Sequence, residues 1–72
     1  MNEVSITTET ITLGQLLKDA GVIDSGGAAK WFLKENKVQV NGEADDRRGR
    51  KLAPGDVVTL PDGAAFTVKR SK

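Results

Sequence analysis

The side chains of this sequence that suggest binding chemistry are a cluster of cations and a single tryptophan. Residues 47–51, which we call the basic loop, hold four cations: Arg47, Arg48, Arg50 and Lys51. The planar guanidinium group of arginine matches the geometry of phosphate oxygens, so the loop predicts a phosphate-bearing partner. A basic cluster is also often just a solvated surface loop, and the run alone is a weak indication.

A second group of candidate residues lies on a helix predicted to end at about Glu35. At about 100° per residue, Lys30, Trp31 and Lys34 point away from the apolar side of this helix. That apolar side carries Ala29, Phe32 and Leu33. An aromatic ring among cations can stack on a nucleobase while the cations neutralise phosphates. The alternative is that Trp31 closes the core by packing under the N-terminal strand, since tryptophan is usually buried.

Two glycines stand at the predicted start of the same helix. Gly26 and Gly27 would let a ligand approach the free amide groups of a helix N-terminus, which attract phosphate. Either Asp24 or Ser25 is expected to cap these amides. The glycines fit neither a P-loop nor a dinucleotide-binding fingerprint, so no nucleotide cofactor is predicted. They could instead serve close packing or a tight entry turn.

The composition excludes several kinds of catalytic site. The 72 residues include neither histidine nor cysteine, which rules out Cys/His zinc sites, disulfides, thiol catalysis and Ser-His-Asp triads. The ten carboxylates lie mostly at turns and helix caps without a matched base, so we predict no catalytic residue, metal or cofactor. The apolar runs are too short to span a bilayer and no signal peptide is recognisable, which favours a cytoplasmic location.

The distribution of charge and the turn signals define the expected architecture. The net charge is only +1, but ten of the eleven bases lie in residues 30–72, which favours a local anion-binding surface. The pattern predicts one domain with two short helices packed on a small antiparallel sheet, an α+β fold. Strands are expected at 2–6, 37–40, 43–46, 57–60 and 65–68, and helices at 12–20 and 25–35.

Local signals add details to this architecture. Thr12 and Gln15 are spaced as a capping box, and Gly21 suits a left-handed helix end. Asn36 is expected to end the second helix in the same left-handed conformation. The pair Asn41-Gly42 predicts a type I′ hairpin turn. The basic loop is expected to be irregular, and residues 69–72 are expected to fray.

An ordered set of residues resembles a known family, the S-four RNA-binding domain, whose fold is called the αL motif. The set comprises Leu16-Leu17, Gly21, Ser25, Ala29, Leu33, Val38-Gln39-Val40-Asn41-Gly42, Leu52, Gly55, Asp56 and Val57. It covers roughly residues 11–60, and segments 25–35 and 47–52 are similar to the stand-alone bacterial YaaA/YbcJ group. Many family members carry a base directly after the serine, where this sequence has Gly26, so backbone amides would replace a side-chain contact there.

The resemblance implies a non-enzymatic module that binds structured RNA, either ribosomal or transfer RNA, with a role in ribosome assembly. The ribosomal subunit is then a potential partner, the protein is expected to be monomeric, and no membrane is involved. The predicted RNA-binding residues are Ser25, Gly26, Gly27, Lys30, Trp31, Lys34, Arg47, Arg48, Arg50 and Lys51. The alternative is a protein-interaction adaptor whose basic loop meets an acidic partner. An exposed Trp31 beside the basic loop on one face favours RNA, whereas a buried Trp31 with the basic loop on the opposite face favours the adaptor.

Overall fold

The computed structural model describes residues 2–71 and confirms the α+β fold class. Its elements follow in the order β1 (Asn2–Ile6), β2 (Ile11–Thr12), α1 (Leu13–Asp19), α2 (Gly26–Glu35), β3 (Val38–Val40), β4 (Glu43–Asp45), β5 (Lys51–Leu52), β6 (Val57–Thr59) and β7 (Ala65–Arg70). Neither helix within this range is long and apolar enough to cross a membrane.

Five of the strands form one mixed sheet. Its order is β1-β7-β6-β3-β4, while β2 and β5 pair separately as a short antiparallel ribbon. Three of the four strand pairs in the large sheet are antiparallel, as expected. The pair β1–β7 is parallel, with Val4 opposite Val68. A wholly antiparallel sheet was therefore the wrong expectation, because nearly the entire chain serves as the long connection that parallel pairing requires.

The C-terminal end of β7 is ordered by its pairing with β1. Lys69 and Arg70 lie opposite Ser5 and Ile6, and the Ser71 amide donates a hydrogen bond of 2.7 Å to the carbonyl of Ile6. The prediction that residues 69–72 fray was therefore wrong for residues 69–71, because the first strand supplies ladder partners. The last residue of that segment, Lys72, lies outside the described residues.

Both helices contribute to an aliphatic core that also includes side chains of the sheet. Leu13, Leu16 and Leu17 of α1 are completely buried, as is Ala29 of α2. The periodicity that predicted these faces is thus confirmed. The strands add Val4, Ile6, Ile11, Val38, Val40, Leu52, Val58, Phe66 and Val68 to the core. Phe32 packs at its margin and is only partly buried.

The helix ends agree only in part with their sequence signals. The Thr12 hydroxyl accepts a 3.2 Å hydrogen bond from the Gln15 amide, which confirms the N-cap of α1. The capping box is not completed, because the Gln15 side chain donates instead to Asp19, one turn further on. Asn36 has φ −132° rather than a left-handed conformation. Its side-chain amide donates to the carbonyl of Phe32 at 3.2 Å, and this contact replaces the predicted left-handed helix end.

The hairpin turn between β3 and β4 has the predicted conformation. Asn41 and Gly42 have φ values of 53° and 87°, as a type I′ turn requires. The structure adds a role that the sequence did not reveal. The Asn41 side chain donates to the Asp56 carboxylate at 3.1 Å and accepts from the Val57 amide at 2.9 Å. The turn is therefore tied to the start of β6.

Replacement of Gly42 by valine should destabilise the fold without removing a contact residue. An added Cβ at Gly42 would meet nothing within 4 Å, so the cost comes from the positive φ. We expect a loss of about 1–2 kcal/mol in the free energy of unfolding, measured by thermal denaturation. Glu43→Val is the matched control, since an exposed strand position accepts a β-branched residue. An unchanged melting temperature combined with lost ligand binding would contradict the structural assignment.

Candidate nucleic-acid interface

The outer face of α2 exposes the single tryptophan. Trp31 is 60% exposed, so the alternative that it closes the core is wrong. Gly27, Lys30 and Lys34 on the same side of the helix are also exposed. The Lys34 Nζ atom lies 5.3 Å from the centroid of the indole ring, within the range of a cation–π contact. This arrangement joins a flat aromatic surface to positive charge.

The N-terminus of α2 is not capped by the side chain of its N-cap residue. Ser25 occupies the N-cap position with an extended backbone, but its hydroxyl makes no capping hydrogen bond. Capping by the Ser25 side chain was therefore a wrong expectation; its carbonyl instead accepts from the Ala28 amide at 3.1 Å. The Ser25 side chain therefore does not compete with a ligand for the first amides of α2.

The basic loop is folded around a buried carboxylate. The side chain of Asp45 is only 5% exposed and accepts hydrogen bonds from both Arg47 and Arg50. Arg47 donates from Nε at 3.2 Å, from Nη2 at 3.0 Å and from its backbone amide at 2.9 Å. Arg50 donates from Nη1 at 2.8 Å. These bonds, that of the Arg47 side chain most strongly, hold the pKa of the Asp45 carboxyl far below its usual range.

Asp45 divides the four cations of the basic loop into two pairs. Arg47 and Arg50 bind the carboxylate, which offsets part of their charge. Arg50 is accordingly 28% exposed at its side chain, whereas Arg47 remains 71% exposed beyond the contact. Arg48 and Lys51 are exposed, and neither forms an ion pair with a residue in the range 2–71. These two cations are therefore the most available to an external anion.

The backbone of the basic loop is fastened to the start of α1. The Leu13 amide donates to the carbonyl of Arg50 at 2.8 Å, and the Gly14 amide donates to the carbonyl of Arg48 at 2.9 Å. The loop carbonyls thereby satisfy amides that the first helical turn leaves free. Lys51 lies opposite Thr12 in the β2–β5 ribbon, so its end of the loop is regular rather than irregular. An open notch of about 350 Å³ lies between Gln15 and Arg48.

Substitution of Asp45 by asparagine should destabilise the protein in a pH-dependent manner. The pKa of Asp45 is lower in the folded protein than its ordinary value of 3.8. Its stabilising contribution is therefore present above about pH 4 and is lost as the pH falls. We expect Asp45→Asn to lower the free energy of unfolding by about 1–2 kcal/mol at pH 7. The difference from wild type should shrink between about pH 5 and pH 2 in chemical denaturation.

Asp46→Asn provides the matched control for this experiment. Asp46 is the adjacent acid, but it is exposed and forms no ion pair with another described residue. Its substitution should change the free energy of unfolding by less than about 0.5 kcal/mol. An equal loss of stability in both variants, or a loss that is constant down to pH 2, would contradict the stabilising role of the contacts of Asp45 with Arg47 and Arg50.

Two further concave regions, both beside β1, lack the chemistry of an anion site. Two open cavities of about 440 Å³ lie beside β1, and both are lined by Asp19 together with hydroxyl or amide side chains rather than by cations. A carboxylate repels phosphate, so these cavities do not extend the basic surface. Within residues 2–71, no group of three carboxylates converges as a potential metal site.

Two residues of the interface have positions that the sequence analysis did not predict. The sequence places Asp45 two residues before Arg47 but does not indicate its burial, which depends on the fold around it. Gly14 was not singled out, although a glycine within an amphipathic helix is unfavourable by about 1 kcal/mol relative to alanine. Such a glycine often marks a close approach of backbone, and here it lies against the basic loop.

Comparison with known proteins adds two relatives and one family. The family model of the S4 domain, which is the S-four domain, matches residues 4–69. A "Probable ribosome maturation protein RlbA" from Bacillus subtilis is 61% identical over 67 residues, which cover 93% of this chain and 94% of that protein. A tyrosine–tRNA ligase from Xanthomonas campestris is 34% identical over 55 residues, which cover 76% of this chain but only 14% of the enzyme.

Proposed function

The chain belongs to the S4 domain family, and from this membership we propose that it is a non-enzymatic module that binds structured RNA. The observation that carries the proposal is the exposure of Trp31, 60% accessible with Lys34 over its ring. A large apolar surface of this kind has no role in the core, whereas a nucleobase both covers the ring and brings phosphates to the lysines. The exposure of the ring meets the first of the two conditions that favour RNA over the adaptor alternative.

The proposed binding mode begins with stacking on α2. An unpaired base lies on the face of Trp31 that Lys34 does not cover, because the cation already occupies the other face. Lys30 and Lys34 neutralise the phosphates on either side of the stacked base. The amides of Gly26 and Gly27 donate hydrogen bonds to a further phosphate, which the helix dipole and the lack of a Ser25 side-chain cap favour.

The basic loop supplies a second, separate region of phosphate contact. Arg48 and Lys51 bind phosphates directly, while Arg47 contributes through its exposed edge and Arg50 mainly supports the loop. Two such regions on one small domain suit a nucleic-acid backbone better than a single small anion. Most contacts are to phosphate, so they position the RNA without specifying its sequence.

Ribosomal RNA is the RNA class that we propose as the ligand. The relative from Bacillus subtilis has nearly the same length as this chain and is described as a probable ribosome maturation protein. We therefore propose that this protein binds ribosomal RNA as a monomer in the cytoplasm, during maturation of a ribosomal subunit. The similar segment of a tyrosine–tRNA ligase is compatible with structured RNA as the general ligand class.

Crosslinking in cells, followed by sequencing of the bound RNA, tests this proposal. We expect the crosslinked reads to concentrate in ribosomal RNA. A variant that combines Trp31→Ala, Arg48→Ala and Lys51→Ala is the control, since it removes the stacking surface and two phosphate contacts while sparing the core. Equal RNA recovery from both proteins would contradict the proposed interface. Mass spectrometry of the same crosslinked material that recovers an acidic protein, with no RNA bound, would support the adaptor function.

A further inference from the structure

We propose that Gly14 is a positioning residue, which fixes the basic loop on the helix pair and so directs Arg48 toward RNA. The proposal rests on the proposed function and extends it to a residue that does not itself contact RNA. Gly14 is buried in α1, and its amide donates the 2.9 Å hydrogen bond to the carbonyl of Arg48. The contact joins the helix directly to Arg48, one of the two cations of the basic loop that form no ion pair with another described residue.

A side chain at Gly14 would be crowded by its neighbours. A Cβ atom built at this position would lie 3.3 Å from the Cβ of Ala29, 3.3 Å from the carbonyl oxygen of Arg48 and 3.4 Å from the Cβ of Arg48. Distances of this size are tighter than most Cβ contacts, so each neighbour would have to move by a few tenths of an ångström. Glycine is therefore the residue that allows α1, α2 and the basic loop to meet at one point.

The loop is held on a second side by Asp45. The carboxylate binds Arg47 and Arg50, which flank Arg48, while Gly14 holds the backbone of Arg48 itself. A shift of Arg48 away from α1 cannot be shared by the whole loop without breaking the Asp45 contacts. The displacement would therefore be confined to Arg48, where a changed Cα–Cβ direction reorients the guanidinium group.

Gly14→Ala tests the proposal by RNA titration. With a fluorescein-labelled RNA stem–loop, we expect about eightfold weaker binding at roughly 0.1 M salt, equal to the loss of one phosphate contact. The slope of log affinity against log salt should fall in magnitude by about 1. Beyond α1 and the surroundings of Ala29, amide chemical shifts should change mainly within residues 47–51, and the quenching of Trp31 by RNA should persist. Val4→Ala, at the opposite edge of the sheet, should lower the melting temperature without changing the slope.

A second variant distinguishes the contact of position 14 with the basic loop from its contact with α2. It also replaces Gly14→Ala in the experiment if that variant does not fold. Adding Ala29→Gly removes the contact with α2 but leaves both contacts with Arg48. We expect this double variant to fold and to have the same reduced slope of log affinity against log salt as Gly14→Ala. Ala29→Gly alone should have a slope close to that of the wild-type protein. Restoration of the wild-type slope in the double variant, or a wild-type slope in Gly14→Ala, would overturn the proposal. Failure of the wild-type protein to bind RNA would instead overturn the proposed function.

Discussion

Replacement of Trp31 by alanine is expected to weaken RNA binding by about 1–3 kcal/mol, roughly 5- to 150-fold, with little change in stability. The stacking term is lost because alanine offers no π surface to a base. Stability should change little because the indole is 60% exposed and lies outside the core. A buried tryptophan would instead lose about 3–5 kcal/mol of stability through cavity formation.

The protein contains a single tryptophan, which makes the experiment direct. RNA should quench the indole fluorescence of the wild-type protein, and thermal denaturation should establish that each variant is folded. Trp31→Phe is the matched variant, because it keeps an aromatic face but removes the indole N–H. Near-normal binding by Trp31→Phe together with weak binding by Trp31→Ala identifies stacking. Equal affinity of a folded alanine variant would leave RNA recognition to the cations alone.

Local structure was largely predictable from the sequence because its determinants are local. The face of α1, the Thr12 cap and the Asn41-Gly42 turn each depend on residues within one turn or one hairpin. The parallel pairing of β1 with β7 was not predictable in this way. It joins the two ends of the chain, and no pattern within either strand specifies which partner it will find.

The residue types of the candidate site were predictable from the sequence, but the different contacts that its cations make were not. Helical phase placed Trp31 outside the core correctly, since one periodicity fixes both faces of a helix. The sequence could not separate Arg47 and Arg50 from Arg48 and Lys51. That separation depends on the burial of Asp45 and on the approach of Gly14, two contacts that arise only when distant segments pack.

The same division of the cations predicts which substitutions change the salt dependence of binding. If about four to six cations contact phosphate, log affinity should fall with log salt with a slope of roughly −3 to −5. Arg48→Ala combined with Lys51→Ala should reduce the magnitude of that slope by about 2 and weaken binding roughly 60-fold near 0.1 M salt. Stability should remain near wild type, because both side chains are exposed and form no ion pair within the described range.

Arg50→Ala is the matched comparison, since it also removes one positive charge from the loop. Its guanidinium group binds the buried Asp45 carboxylate, so we expect a loss of about 1–2 kcal/mol in the free energy of unfolding. The change in the salt slope should be smaller than that caused by Lys51→Ala alone.

Both kinds of variant should weaken binding equally for RNAs of different sequence, because phosphate contacts carry no sequence information. A loss confined to one sequence would assign a base contact to the loop. A slope near zero for the wild-type protein would remove the electrostatic contribution altogether, since released counterions are what the slope counts.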